Sequence, residues 1–260
     1  MATGVVQKFY RAGFNVLILE TQTPTAIRRS VALCEAVYTD VVMVEYMTCR
    51  KISEVDEAKK CWSEGQIPLL IDPEGKSIKE LRPAALIDAI IAKRNLGTTR
   101  CMADVTIALG PGFNAGEDVH AVIETLRGHD LGRLILQGSA KPDTGIPGEI
   151  EEESTRRVLH APSNGVIKHI KQIGDIVELG DILFSIDEPE GQSVEVKAPM
   201  NGLLRGLIRE GLQVHKGMKV ADIDPRTDVD WRLISDKARC LGGAALEAYF
   251  HLSLRNGEKK

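Results

Sequence analysis

The chain repeats itself without a gap, and this repeat constrains its fold more than any other feature. HAPSNGVIKHIKQIGDIVELGDILFSID begins at His160, and KAPMNGLLRGLIREGLQVHKGMKVADID begins 37 residues later at Lys197. Matched positions include Ala161/Ala198, Pro162/Pro199, Asn164/Asn201, Gly165/Gly202, Gly174/Gly211, Val177/Val214, Gly180/Gly217 and Asp187/Asp224. The A-P-x-x-G start puts a proline at a strand edge and a glycine where a turn needs positive φ. GVIKHI and DILFSID are apolar and β-branched enough to be strands. Each unit is too small to bury a face alone, so two are expected to pack sheet on sheet around one core.

These residues resemble the lipoyl/biotinyl family, whose two halves carry the same A-P-x-x-G and G-D-x-V-x-x-G-D pattern. The resemblance implies a small all-β barrel-sandwich hybrid domain over residues 154–226. In carrier members the modified lysine lies on the hairpin before the second A-P. Here that hairpin is DEPEGQSVEVK, with Gly191 at the carrier position, and no lysine occurs between Asp181 and Val196. No covalent biotin or lipoate is expected, and the module is read as structural or docking.

Residues 1–153 read differently. TGVVQKFYRAGF predicts a helix ending near Gly13, and NVLILE, IPLLID, ALIDAII, VTIALG and RLILQG are short apolar runs between polar segments. Continuously apolar strands separated by helical stretches predict a mostly parallel sheet covered on both faces. The expected class is therefore α/β, a Rossmann-like sheet with its first strand missing, plus the small β domain. Residues 227–260 hold a helix opened by Ser235-Asp236, expected to pack back on the first domain.

Within that frame, Thr3 and Gly4 sit where the tail of a phosphate loop would lie. Glu20 ends the strand whose acidic terminus binds a ribose hydroxyl in Rossmann units. LGPGFNAGEDVH follows the strand VTIAL, so Gly110, Gly112, Phe113, Asn114 and Gly116 form a glycine-rich loop at a strand's carboxyl end. Such a loop can aim backbone amides at an anion, or it can be a structural turn. Arg127, His129 and Arg133, Arg28 and Arg29, and Lys93, Arg94, Asn95, Gly97 and Thr98 are polar clusters with the same two readings. No metal-ligand spacing occurs, and no nucleophile–base pair stands out.

Composition excludes several classes. The formal net charge is −4 and aromatics make up 4%, which disfavours nucleic acid and stacking platforms for single strands. No apolar run is long enough to span a membrane and no basic-then-apolar stretch reads as a leader, so neither membrane spanning nor secretion is expected. The five cysteines are scattered and never spaced C-x-x-C, which fits a reducing cytoplasm. Most are expected to be small buried hydrophobes.

The strings ATGVVQKFYRAGF, PTAIRRSVALCEAVY, IDAIIAKRNLGT, ALGPGFNAGEDVHAVIETLRGHDLGR, GSAKPDTGIPGEI, APMNGLLRGLI, KVADIDPR and ISDKARCLGGAALEA resemble the YqeB family. This bacterial family is named as a selenium-dependent molybdenum hydroxylase system protein. The resemblance covers nearly the whole chain. It implies an accessory or maturation role for molybdenum hydroxylases, with a nucleotide-like or molybdopterin-type ligand on the α/β domain. The implied partners are the hydroxylase or its maturation proteins. The alternative is an enzyme of the same pathway, either a nicotinamide-linked oxidoreductase or a pterin or selenium transferase, in which Cys34 or Cys101 would carry sulfur or selenium rather than being an inert buried thiol. Family members begin with a strand and a G-D-L/I-A-T/S-G segment. Here only Met1-Ala2-Thr3-Gly4 remains, which predicts a true start upstream of Met1.

Overall fold

The computed structural model describes residues 1–143 and 156–257. The chain divides into two compact units. One comprises Met1–Gln22, Ala36–Thr144 and Ile234–Lys260, and the other Thr23–Glu35 and Gly145–Leu233.

The first unit opens with α1 (Ala2–Arg11). There follow β1 (Ile18–Glu20), α2 (Ala36–Thr39), β2 (Val41–Val44), β3 (Met47–Ile52), α3 (Ala58–Ser63) and β4 (Ile67–Ile71). The four strands make one sheet in the order β1-β4-β3-β2, with β1 and β3 parallel to β4 and β2 antiparallel to β3. After α4 (Ile78–Leu81), a second sheet is built from β5 (Ala85–Asp88), β6 (Val105–Leu109), β7 (Ala121–Ile123) and β8 (Leu134–Ile135), in that order. Only β8 runs antiparallel.

The unit closes with α5 (Asp236–Gly257), whose first turn is capped by Ser235 Oγ accepting the Ala238 amide at 3.2 Å. This helix packs on α1 and β6. Val5, Phe9, Ile107, Leu109, Ile123, Leu241, Ala245 and Ala248 form the core between them. Phe113, Val119, Val122 and Ala140 form a further cluster with Ala108. β6 is thus buried along its whole length, which is why its sequence lacks alternation.

The expected Rossmann-like sheet with a barrel-sandwich domain is not what the chain builds. Among the described residues the strands fall into four separate four-stranded sheets with few helices. Apolar runs such as IPLLI and VTIAL look alike whether they share a sheet or not. The turn Asp72–Ser77, α4 and the residues before Ala85 break the chain between two sheets. The β2–β3 hairpin, turned through Glu45 at φ 55°, was also not anticipated. The run ALIDAII stays extended only to Asp88, whose carboxylate accepts the Ile90 amide at 3.1 Å and turns the chain.

The second unit carries β9 (Val158–His160), β10 (Gly165–His169), β11 (Ile176–Val177), β12 (Ile182–Asp187), β13 (Ser193–Lys197), β14 (Gly202–Leu207), β15 (Gln213–Val214) and β16 (Lys219–Asp224). They make two antiparallel sheets, β13-β12-β10-β15 and β11-β14-β16-β9. The pairing of Val166 with Asp187 recurs as Leu203 with Asp224, and Gly165 with Val214 recurs as Gly202 with Val177. Each repeat therefore lends a short strand to the other's sheet. Ile167, Leu183, Phe184 and Ile186 meet Leu204, Ile208, Val220 and Ile223 in one core.

The repeated glycines have a different cause from the one expected. A Cβ on Gly165 or Gly202 would lie 2.3 Å from the carbonyl oxygen of Asp187 or Asp224. Close strand approach, rather than a turn, excludes a side chain there. Residues 23–35 belong to this unit: the Ile27 carbonyl accepts the Leu207 amide at 2.8 Å, and Arg209 pairs with Glu35 at 2.8 Å. No helix among the described residues is long and apolar enough to cross a membrane.

Candidate ligand site at the carboxyl edge of the second sheet

Three parallel strands of the second sheet end side by side, at Asp88, Leu109 and Ile123. Open α/β sheets place ligands at this edge. Asp88 and Glu124, one following β7 directly, are both buried there, at 6% and 2% exposure. Asp88 accepts the Thr98 hydroxyl at 2.7 Å as well as the Ile90 amide. Glu124 accepts the amides of Thr125 (2.7 Å), Leu126 (2.8 Å) and Lys141 (2.8 Å). Their lone pairs are committed, so both act as anchors for the loops rather than as free bases.

The loop after β5 is strained. Ile91 and Lys93 stand at φ 59° and 61°, where a β-branched residue is an outlier and each position costs about 1–3 kcal/mol. The surroundings hold it: Asn95 Oδ1 accepts the Gly97 and Thr98 amides, and Lys93 pairs with Asp143 at 2.6 Å. Gly112, at φ 105°, presses on the same loop. A Cβ there would fall 2.5 Å from the Arg94 Cα. The loops after β5 and β6 therefore interlock backbone to backbone.

Four amides of the glycine-rich loop are spent on the protein. Gly110 donates to the Ile123 carbonyl, Asn114 to Asp118, Ala115 to the Gly138 carbonyl and Gly116 to the Val119 carbonyl, all at 2.8–2.9 Å. Phe113 is buried, and Arg100 donates to the Gly116 carbonyl at 2.9 Å. Next to β7 and β8 lies a cavity of about 360 Å³ lined by Glu124, Asp130, Arg133, Gln137, Ser139 and Lys141, among others. The Lys141 ammonium holds the Asp130 carboxyl below its usual range. Arg127 ties the loop after β7 to Asp236 through two bonds of 3.1 and 3.2 Å. Burial, with the Arg100 charge, lowers the His120 imidazole, which accepts the Thr106 amide through Nδ1 at 3.0 Å.

Gly110, Gly112, Phe113, Asn114 and Gly116 are thus brought together, and Thr3, Gly4 and Glu20 are not brought to them. Thr3 and Gly4 lie inside α1, buried, where a Cβ on Gly4 would fall 2.1 Å from the Ala238 carbonyl oxygen. Their role there is close packing on α5. Glu20 ends β1, the outer strand of the first sheet, and accepts the Thr21 amide at 2.7 Å. That sheet has its own cavity, of about 470 Å³, lined by Glu54, Asp56, Asp72, Lys76, Ser77 and Glu80 among others; Glu20 does not line it. Arg28 and Arg29 fall in the segment of the second unit that packs on Leu207 and Trp231. Part of GSAKPDTGIPGEI lies outside the described residues.

Sequence reading missed Asp88 and the anchoring role of Glu124. The available signal was an acidic residue closing a short apolar strand, at Asp88 after Ala85-Leu86-Ile87 and at Glu124 after Ala121-Val122-Ile123. Among the described residues no group of three His, Cys, Asp or Glu side chains could hold a metal ion.

No protein-family model matches the chain. Its likeness to solved structures is faint. A product-bound ectoine utilization protein EutE (DoeB) from Ruegeria pomeroyi aligns at a TM-score of 0.29 and 16% identity, over 80% of this chain and 84% of that one. An aspartoacylase family protein from Mesorhizobium loti aligns at 0.29 and 12%, over the same shares. Scores this low establish neither fold nor activity for this chain. Sequence similarity is far stronger: "Uncharacterized protein YqeB" of Escherichia coli (strain K12) is 47% identical over 253 residues, or 97% of this chain and 46% of that protein. The chain thus spans about half the length of the curated relative it matches. Identity at this level along nearly the whole chain supports its place in the YqeB family.

Proposed function

We propose that this chain is a cytoplasmic accessory protein in the maturation of selenium-dependent molybdenum hydroxylases. On this reading it binds a nucleotide-like or molybdopterin-type ligand at the carboxyl edge of β5, β6 and β7. The observation that carries the reading is the strained, interlocked pair of loops at Ile91–Arg94 and Gly112. Strain of this kind persists where the surroundings over-determine it, and it clusters at ligand clamps. The neighbouring cavity of about 360 Å³ falls within the size range of small-molecule sites. The second unit then serves as a surface for the hydroxylase or a fellow maturation protein.

A thermal-shift panel with NAD, ATP, CTP, GTP and molybdopterin nucleotides tests the ligand. Saturable stabilisation by at least one is expected, because a ligand that binds only the folded state raises its stability. Absence of any shift across the panel removes the ligand reading and leaves a scaffold.

A further inference from the structure

We infer that Arg94 supplies the charged donor for the phosphate of the ligand bound at this edge. The inference rests on the proposed ligand site and names its recognition chemistry. A glycine-rich loop binds phosphate through amides left free by its turns. Here the amides of Gly110, Asn114, Ala115 and Gly116 are bonded within the protein, which leaves those of Gly112 and Phe113. Two neutral amides do not neutralise a phosphate, so the anion calls for a charged donor beside them.

Most nearby cations are also engaged. Lys93 is paired with Asp143, Arg100 with the Gly116 carbonyl, Arg127 with Asp236, and Lys141 with Asp130. Arg133 faces Asp130 at 3.8 Å. Arg94 is exposed and makes no hydrogen bond or ion pair with the described residues. Its position is nevertheless fixed: it follows Lys93 in the left-handed region, and its backbone touches Gly112. A strained turn, a glycine cleared of side chain and an uncommitted guanidinium converge on one residue. A planar fork of donors suits phosphate oxygens better than a point charge does.

Equilibrium titration of the full chain with CTP, ATP, NAD and inorganic pyrophosphate tests this, with cytidine as the unphosphorylated control. Arg94→Gln is expected to weaken the phosphorylated compounds about 30-fold, the worth of a charged hydrogen-bond pair. Cytidine should bind both proteins alike, and Arg94→Lys should recover part of the loss. Lys59→Gln, an equal change of charge on α3, should leave binding intact. Unchanged affinity in Arg94→Gln overturns the Arg94 assignment while leaving the ligand site standing. An equal loss in Lys59→Gln also overturns it, by tracing the effect to net charge. Failure of every phosphorylated compound to bind the wild type overturns both.

Discussion

Lys168 and Asp187 form an ion pair at 2.5 Å across β10 and β12, and Arg205 and Asp224 form its counterpart across β14 and β16. Lys168 to Arg205 and Asp187 to Asp224 are both steps of 37 residues. Duplication kept the pair while its surroundings diverged. The side chains of Lys168 and Asp187 are 64% and 35% exposed, and those of Arg205 and Asp224 are 12% and 0%. Around the buried copy, Asp222 bonds both Arg157 and Arg205, and Asp224 bonds Arg226.

The two copies should therefore differ in energetic weight. Asp224→Ala removes the buried carboxylate shared by Arg205 and Arg226, leaving Arg205 to Asp222 alone, and is expected to cost about 3–5 kcal/mol in urea denaturation. Asp187→Ala removes a solvated pair, and its denaturation midpoint should stay at the wild-type value. Equal losses in the two variants would show that the second copy is no more buried than the first.

Gly112 and Gly116 are both in the left-handed region, at φ 105° and 91°. A Cβ on Gly112 collides with the Arg94 backbone at 2.5 Å, whereas on Gly116 its nearest neighbour is the Leu136 carbonyl oxygen at 3.7 Å. Gly116→Ala should cost only the backbone strain, about 1 kcal/mol. Gly112→Ala adds a clash with rigid backbone and should lower Tm further and abolish ligand-induced stabilisation.

Two histidines set the acid response. Burial holds His120 and His169 below the ordinary histidine value, with Arg100 and Arg29 respectively acting in the same direction. The unfolded chain therefore takes up their protons first as pH falls, starting near about 6.5. Stability should be full above that pH and decline below it, down to the depressed folded values. Denaturation midpoints of His120→Gln and His169→Gln, measured from pH 8 to 5, should fall less steeply than the wild type.

Cys101 and Cys240 are exposed, whereas Cys49 and Cys61 are buried, and burial also raises the Cys61 thiol. Thiol titration of native protein should find Cys101 and Cys240 prompt and Cys49 and Cys61 silent until unfolding. A silent Cys101 and Cys34 would end the sulfur- or selenium-carrier alternative.

Local chemistry was legible in the sequence and assembly was not. The repeat from His160 onward appears strand for strand, because turn residues and β-branched runs act over a few residues. The runs at Ile67–Ile71 and Val105–Leu109 were readable as strands for the same reason. Nothing local says that they belong to different sheets, since both are continuously apolar. Gly4 illustrates the same limit: a glycine near the start of a helix fits a phosphate loop or a helix crossing, and only the Ala238 carbonyl decides. At the candidate site the glycine-rich loop was visible from its composition. That Gly112 serves the Arg94 backbone depends on a contact between separate loops, which spacing cannot encode.

The central claim is that ligand binds at the carboxyl edge of β5, β6 and β7. Hydrogen exchange with and without whichever panel compound stabilises the chain tests it most directly. The account predicts slower exchange in residues 88–100, 109–116 and 124–133, with no change around the first sheet's cavity at 53–56 and 72–80. Protection confined to the first sheet's cavity, or to the second unit, would contradict it.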